Sequence, residues 1–205
     1  MNLTALIDAH TGQLTVEGDG AELFGQFLGD ATEVNCARPL DYATLPPSTG
    51  SDLQVHALWF GSVVDGPGRR NVVQLQGCHL RCHGCYVPET HDFNAGTPMA
   101  VRDVLLPLMS GVHDGVTILG GEPFAQPRGL WKLVRALKTA GEHVCVYSGY
   151  TLETLRRRQD PYVALTLEFI DVLIDGAYVS RLGSSDLAYR GSTNQRIIDM
   201  REVQA

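Results

Sequence analysis

Three cysteines are crowded into eight residues of the sequence, in the stretch GCHLRCHGCY. Cys78, Cys82 and Cys85 follow the spacing C-x3-C-x2-C. Three thiolates on one tight loop can bind three irons of a [4Fe–4S] cubane, which conventionally takes four cysteines. The other two cysteines, Cys36 and Cys145, are distant in sequence. We therefore expect one iron to keep an open position, where a substrate or cofactor can bind, as at an open catalytic zinc site.

A zinc site is the alternative interpretation of the same cysteines. One of His79, His83 or His91 could complete a Cys3His ligand set. Zinc ribbons usually carry paired C-x2-C elements, whereas this sequence has a single one. The spacing therefore favours the cluster, with His79 and His83 as exposed loop residues.

Four short apolar strands are expected to position the cysteines. They cover residues 72–77, 115–121, 143–149 and 171–176, and helical patterns separate them. Strands that alternate with helices predict right-handed βαβ units and a parallel sheet. Ligands bind at the carboxyl ends of such strands, so the residues that follow each strand are candidates for the site. These are Gly77 and Cys78, then Gly120, Gly121 and Glu122, then Ser148 and Gly149, then Asp175 and Gly176.

The composition narrows the class of protein. The chain has 205 residues, 44% of them hydrophobic and 19% charged, which indicates a globular protein with a core. Its net charge of −7 argues against a nucleic-acid partner, because phosphate binding needs clustered Lys and Arg. No apolar run is long enough to span a membrane, and the first residues do not follow a signal-peptide pattern. Five cysteines, three of them clustered, do not suit a secreted disulfide framework, so we expect a cytoplasmic protein.

A proline-rich segment, LPPSTGSD, predicts a boundary near residues 46–52. Residues 1–50 are expected to form a small α+β appendage, with a β-hairpin over residues 3–17 and a helix around residues 23–28. Residues 53–205 would form the α/β core domain.

The cysteine motif, which opens from a strand, resembles that of the radical S-adenosylmethionine superfamily. In that superfamily the open iron binds the amino and carboxylate groups of S-adenosylmethionine. One electron from the reduced cluster then yields methionine and a 5′-deoxyadenosyl radical. The resemblance implies a [4Fe–4S] cluster and S-adenosylmethionine as cofactors, and a flavodoxin- or ferredoxin-like protein as electron donor.

Other segments resemble the activating proteins of anaerobic ribonucleotide reductase, in the same order along the chain. They are SVVDGPGRR before the cluster strand, ILGGEP, VYSGYT, DVLIDG and RGSTNQR. The resemblance covers residues 53–205 and implies an enzyme that installs a glycyl radical on a partner enzyme, such as an anaerobic ribonucleotide reductase. The GCY arrangement at Gly84 and Tyr86 agrees with this subfamily, while Val87 replaces a common asparagine.

The resemblance also assigns roles to individual residues. The GGEP segment would bind the amino group of S-adenosylmethionine, and Ser148 its ribose or carboxylate. Asp65, with Arg69 or Arg70, would lie near the mouth of the site. Asp175 would face the site from a strand end, although a simple turn residue remains the alternative for both aspartates. The resemblance implies that S-adenosylmethionine is surrounded by Gly84, Tyr86, Gly120, Gly121, Glu122, Pro123 and Ser148.

Four polar residues lie in the C-terminal RGSTNQR segment, namely Arg190, Ser192, Asn194 and Gln195. They either dock this tail against the core or act in catalysis.

The fold that this family implies is a partial TIM-like barrel of parallel strands, because a complete barrel needs about 250 residues. Two other functions stay open. A radical enzyme with this core could act on a small molecule or a peptide, as 7-carboxy-7-deazaguanine synthases and peptide-modifying relatives do. A metal-binding interaction module without enzymatic activity is the second alternative.

Overall fold

A computed structural model describes residues 3–7, 14–18 and 51–204 of the protein. Strand β1 (Leu3–Ile7) pairs antiparallel with β2 (Leu14–Gly18), which confirms the predicted β-hairpin. The predicted helix at residues 23–28 and most of the predicted boundary at 46–52 lie outside the described residues. The chain divides into two compact units, Met1–Leu40 and Asp41–Ala205.

The second unit is built on a seven-stranded mixed sheet. Its strands are β3 (Leu53–Ser62), β4 (Arg70–Leu75), β5 (Thr97–Met99), β6 (Gly115–Gly120), β7 (Val144–Ser148), β8 (Val172–Asp175) and β9 (Arg196–Asp199). Their order across the sheet is β5-β3-β4-β6-β7-β8-β9. Strands β4, β6, β7 and β8 are parallel, as predicted, while β3, β5 and β9 are antiparallel to their neighbours. The sheet has two edges, β5 and β9, so it is open rather than closed, and the fold is α/β.

Helices connect the parallel strands. The longest, α2 (Pro127–Thr139), joins β6 to β7, and its buried residues Leu130, Leu133, Val134 and Leu137 recur at helical spacing. Thr151 accepts a hydrogen bond from the Thr154 amide and caps α3 (Leu152–Arg156). The helices are α1 (Val101–Leu108), α2 (Pro127–Thr139), α3 (Leu152–Arg156), α4 (Pro161–Phe169) and α5 (Met200–Gln204). Within residues 51–204, none of them combines the length and hydropathy that crossing a lipid bilayer requires.

Strand β4, the third of the seven strands across the sheet, is buried in all six of its residues. The four parallel strands lie side by side in chain order, so their carboxyl ends meet along one edge of the sheet. The loop that carries Cys78 leaves β4 at this edge. The fold therefore brings the cysteine loop to the strand ends where the sequence predicted a site.

The predicted position of Arg69 and Arg70 is wrong. Strand β3 pairs with β4 so that Ser62 lies opposite Arg70, at the amino end of β4 and away from Cys78. The Arg70 guanidinium is buried and donates hydrogen bonds to the carbonyl oxygens of Val116 (2.6 Å) and His143 (2.9 Å). Arg70 thus ties the amino ends of β4, β6 and β7 together. No local pattern of residues indicates the β3–β4 pairing that reverses the chain here.

Candidate cluster and cofactor site

A cavity of about 350 Å³ opens at the carboxyl ends of the parallel strands. The cysteine loop, the ends of β6 and β7, and residues that follow β8 form its walls. The predicted cluster, cofactor and strand-end residues that line it are Cys78, Cys82, Cys85, Asp65, Tyr86, Gly120, Gly121, Pro123, Ser148, Gly149 and Gly176. The other residues of these predicted groups, Gly77, Gly84, Glu122 and Asp175, belong to the described part of the chain and are not in the lining.

Two backbone hydrogen bonds join the start of the cysteine loop to the turn that follows the loop. The Gly77 amide donates to the Thr90 carbonyl (2.8 Å), and the Cys78 amide donates to the His91 carbonyl (3.3 Å). Burial raises the pKa of the Cys78 thiol, although the backbone amides of Arg81 and Leu80 donate hydrogen bonds that favour its thiolate. The three cysteines therefore share one loop and one cavity.

The histidines of the zinc alternative occupy different positions. His79 is exposed and its ring lies 4.3 Å from the ring of Phe93, and His83 is also exposed, whereas His91 lines the cavity. Within residues 51–204, no three His, Cys, Asp or Glu side chains are close enough together to share a single metal ion.

Glu122 is fully buried behind the cavity wall. One carboxylate oxygen accepts from the Phe124 amide (2.9 Å), and the other accepts from the Gly149 amide (2.8 Å). The Ser148 hydroxyl lies 3.0 and 3.1 Å from the two oxygens. Burial raises the pKa of this carboxyl to about 7, because desolvation outweighs these hydrogen bonds. Glu122 thus joins the end of β6 to the end of β7.

The two positions before Glu122 must be glycine, because neighbouring protein atoms leave no room there for a Cβ atom. A Cβ atom at Gly121 would collide with the Gly77 carbonyl oxygen, and one at Gly120 would collide with the Leu75 backbone. These glycines allow the end of β6 to pack against β4 and the cysteine loop.

Asp65 lies in the cavity wall beside Trp59. Its Oδ2 accepts hydrogen bonds from the Trp59 indole (3.1 Å) and the Ser62 hydroxyl (2.6 Å). Its backbone carbonyl accepts from the Thr117 hydroxyl (2.7 Å), which holds the loop against strand β6. A carboxylate thus reaches the cavity from the DGPG segment.

Asp175 is buried at the end of β8. Its carboxylate accepts from the Arg196 guanidinium at 2.5 and 2.9 Å and from the Leu152 amide at 2.7 Å. These contacts join β8 to β9 and to the first turn of α3. Its carboxylate therefore has structural partners, and the cavity is lined by the neighbouring Gly176 instead.

Tyr86 stands at the mouth of the cavity, with 72% of its surface exposed. Its ring lies 4.8 Å from that of Tyr178, and their hydroxyl oxygens are 3.2 Å apart. Gly84 places its α-carbon beside Ser180, in the same segment as Tyr178. Tyr178 was not predicted, although it follows β8 within three residues of Asp175. Further lining residues that sequence reasoning missed are Trp59, Gln74, Tyr147 and Gly191.

The tail residues pack around the end of β8. The Asn194 side chain donates to the Ala177 carbonyl (2.8 Å), and the buried Ser192 hydroxyl accepts from the Val179 amide (3.2 Å). Arg190 donates to the Gln195 carbonyl (3.2 Å). Gln195 also lines the cavity. These contacts favour the tail-docking alternative.

Comparisons with known proteins bear on this site. The family model described as a 4Fe-4S single cluster domain matches residues 64–198, which include the three cysteines. The anaerobic ribonucleoside-triphosphate reductase-activating protein of Escherichia coli (strain K12) is 31% identical over 159 residues, which cover 73% of this chain and all of that relative. The chain belongs to this family of activating proteins.

Other anaerobic ribonucleoside-triphosphate reductase-activating proteins match with similar coverage. The protein of Pasteurella multocida (strain Pm70) is 33% identical over 147 residues, 66% of this chain and 90% of that protein. The protein of Enterobacteria phage T4 is 32% identical over 141 residues, 65% of this chain and 86% of that protein. These matches confirm the predicted family, its enzymatic character and its iron–sulfur domain, and they decide against a non-enzymatic interaction module.

Proposed function

We propose that this activating protein uses a [4Fe–4S] cluster and S-adenosylmethionine to install a glycyl radical on a partner enzyme, an anaerobic ribonucleoside-triphosphate reductase. The observation that carries the proposal is the shared cavity of Cys78, Cys82 and Cys85 with the ends of β6 and β7. The relatives named above support the choice of partner.

The three cysteines would hold the cluster. Their thiolates supply three ligands, which suits a cubane with one iron open to a chelating cofactor. With S-adenosylmethionine, a bound cluster would supply one-electron radical chemistry able to remove the α-hydrogen of a glycine on the partner. The protein's own contribution is to bind, orient and exclude water at the strand ends.

The walls beside the cysteines would bind S-adenosylmethionine. Gly120, Gly121 and Pro123 present backbone at the end of β6, Ser148 lies at the end of β7, and Tyr86 stands at the mouth. Since the hydrogen bonds of Glu122 go to Phe124, Ser148 and Gly149, we infer that Glu122 positions these walls. Gly84 would give the loop room beside Ser180.

The two aspartates take different roles in this proposal. Asp65 lines the cavity and is the candidate for direct contact with the reacting groups. Asp175 stabilises the fold at the end of β8, because Arg196 and the α3 amide occupy its carboxylate.

We further infer that the open sheet is the curved wall of a partial TIM-like barrel formed by residues 53–205. Four parallel strands in chain order are the arrangement of such a barrel. The gap between its edge strands would admit a loop of a protein substrate. A flavodoxin- or ferredoxin-like protein would supply the electron.

The test is anaerobic reconstitution of the full chain with iron and sulfide, followed by reduction with dithionite. The proposal expects an electron paramagnetic resonance signal of the reduced cluster that shifts when S-adenosylmethionine is added, and formation of 5′-deoxyadenosine. Tight zinc binding without 5′-deoxyadenosine would contradict it. Alanine variants of the three cysteines serve as the matched controls.

A further inference from the structure

The segment that follows β8 forms one wall of the cavity. The cluster chemistry proposed above gives this wall no role. Residues 176–195 leave β8, pass through a short 3-10 turn at Ser180–Leu182 and return to β9. Four of them, Gly176, Tyr178, Gly191 and Gln195, line the cavity. A loop of this length could move freely unless specific contacts hold it.

The side-chain amide of Gln195 holds this segment closed. Its Oε1 accepts hydrogen bonds from the amides of Gly191 (2.9 Å) and Ser192 (3.1 Å). Its Nε2 donates to the carbonyl oxygen of Gly176 (2.9 Å), the residue directly after β8. One amide group therefore joins the two ends of the segment, and both its donor and its acceptor are used.

The same loop supports the aromatic pair at the mouth. Gly191 packs against both rings, because a Cβ atom there would lie 3.1 Å from Tyr178 and 3.2 Å from Tyr86. Tyr86 directly follows Cys85, the last cysteine of the motif. A displacement of Gly191 would therefore reach the cysteine loop through two side chains whose rings are in contact.

We propose that Gln195 is a positioning residue that latches residues 176–195 against the cysteine loop, and that Tyr178 transmits this positioning to Tyr86. The inference rests on the proposed function, since it concerns the cavity in which S-adenosylmethionine would bind. It assigns a reason for glutamine in the RGSTNQR segment, namely that this side chain is both a donor and an acceptor.

The test compares four variants of the full chain, each loaded with its cluster. Gln195→Glu keeps the acceptor oxygen but replaces the donor with a second acceptor that faces the Gly176 carbonyl. Tyr178→Ala removes the ring that contacts Tyr86, while Tyr178→Phe keeps it. Thr193→Ala, at an exposed position of the same segment, is the control.

The first readout is hydrogen exchange without S-adenosylmethionine. The latch predicts faster amide exchange in Gln195→Glu both within residues 176–195 and around Tyr86. Unchanged exchange around Tyr86 would overturn the latch. This readout decides the inference even if the wild-type chain does not bind S-adenosylmethionine, a result that would refute the proposed function instead.

The second readout is the Kd for S-adenosylmethionine, measured by equilibrium dialysis at equal iron content. Supporting residues around a metal or cofactor site typically change affinity about 10–100-fold when they are replaced. We expect an increase of at least about 10-fold for Gln195→Glu and Tyr178→Ala, and values near wild type for Tyr178→Phe and Thr193→Ala. An unchanged Kd in Gln195→Glu would contradict the positioning role.

Discussion

The buried carboxyl of Glu122 should make the stability of this protein depend on pH in a way that one substitution removes. Glu122→Gln keeps the shape of the side chain but cannot ionise. In the wild type, desolvation raises the pKa of this carboxyl from 4.5 to about 7. The two chains should therefore differ in the pH dependence of their free energies of unfolding.

The sign follows from proton counting. Between pH 4.5 and about 7 the folded wild type holds a proton at Glu122 that the unfolded chain has released. Stability falls with rising pH wherever the folded state binds more protons. At about 1.4 kcal/mol for each pH unit, the wild type should lose on the order of 3 kcal/mol across this window, and Glu122→Gln should not.

Glu122→Gln also lowers the free energy of unfolding at low pH. The amides of Phe124 and Gly149 point at different carboxylate oxygens, and an amide nitrogen in place of one oxygen cannot accept either bond. An unsatisfied buried donor costs about 1–3 kcal/mol. We therefore expect Glu122→Gln to be less stable than wild type at pH 5, and the difference to shrink or reverse at pH 8.

The assay is urea unfolding of the metal-free, reduced chain at both pH values, followed by circular dichroism. Glu89→Gln is the control, because it removes one negative charge from an exposed turn beside the cysteine loop. A stability difference between wild type and Glu122→Gln that is the same at pH 5 and pH 8 would refute the reasoning about desolvation.

Three further predictions concern the cluster and its supports. Cys82→Ala should lower the iron and sulfide content and the visible absorbance of the reconstituted chain, whereas Cys145→Ala should change neither, because Cys145 is buried within β7. Asp175→Asn should lower the free energy of unfolding by about 1–3 kcal/mol in urea, with an unchanged Kd for S-adenosylmethionine, since its carboxylate has structural partners. A weaker Kd at wild-type stability would instead restore a catalytic role. Gly121→Ala should lower cluster content, because its Cβ would collide with the cysteine loop. Gly141→Ala should leave cluster content unchanged, since nothing lies within 4 Å of the added atom, and should cost about 1–2 kcal/mol of stability because the φ of +84° strains an alanine. Equal iron content in these two variants would contradict the packing argument.

Much of the core could be predicted because its strands are short apolar runs that end in glycine. β4, β6, β7 and β8 were placed from this pattern, and their parallel pairing followed from the helices between them. Strand β3 was missed. Its pairing with β4 has two irregularities, between Val55 and Ala57 and between Trp59 and Ser62. Such irregularities break the alternation that would reveal a strand. Strand β9 has four residues and exposed side chains at its start, which give no strand signal.

The parts of the site that were predicted best are those in which one short segment of sequence contains all the residues of a motif. The cysteine motif and the GGEP segment are local patterns, and both are found at the cavity. Asp65 was also placed there, but Arg70 was not, because its position depends on the pairing of β4 with β3, a strand that was not predicted. Tyr178 escaped prediction for a similar reason. Its partner Tyr86 is distant in sequence, and only the fold brings the two rings together.

The most direct test of the central claim is a mixing experiment under strictly anaerobic conditions. The reconstituted, reduced protein is combined with S-adenosylmethionine and an anaerobic ribonucleoside-triphosphate reductase, and the frozen sample is examined by electron paramagnetic resonance. The account predicts a doublet from a glycyl radical on the reductase, with its splitting lost when glycine is deuterated at the α-carbon, and 5′-deoxyadenosine in matching amount. Formation of 5′-deoxyadenosine without any glycyl radical would contradict the claim and point to a small-molecule or peptide substrate.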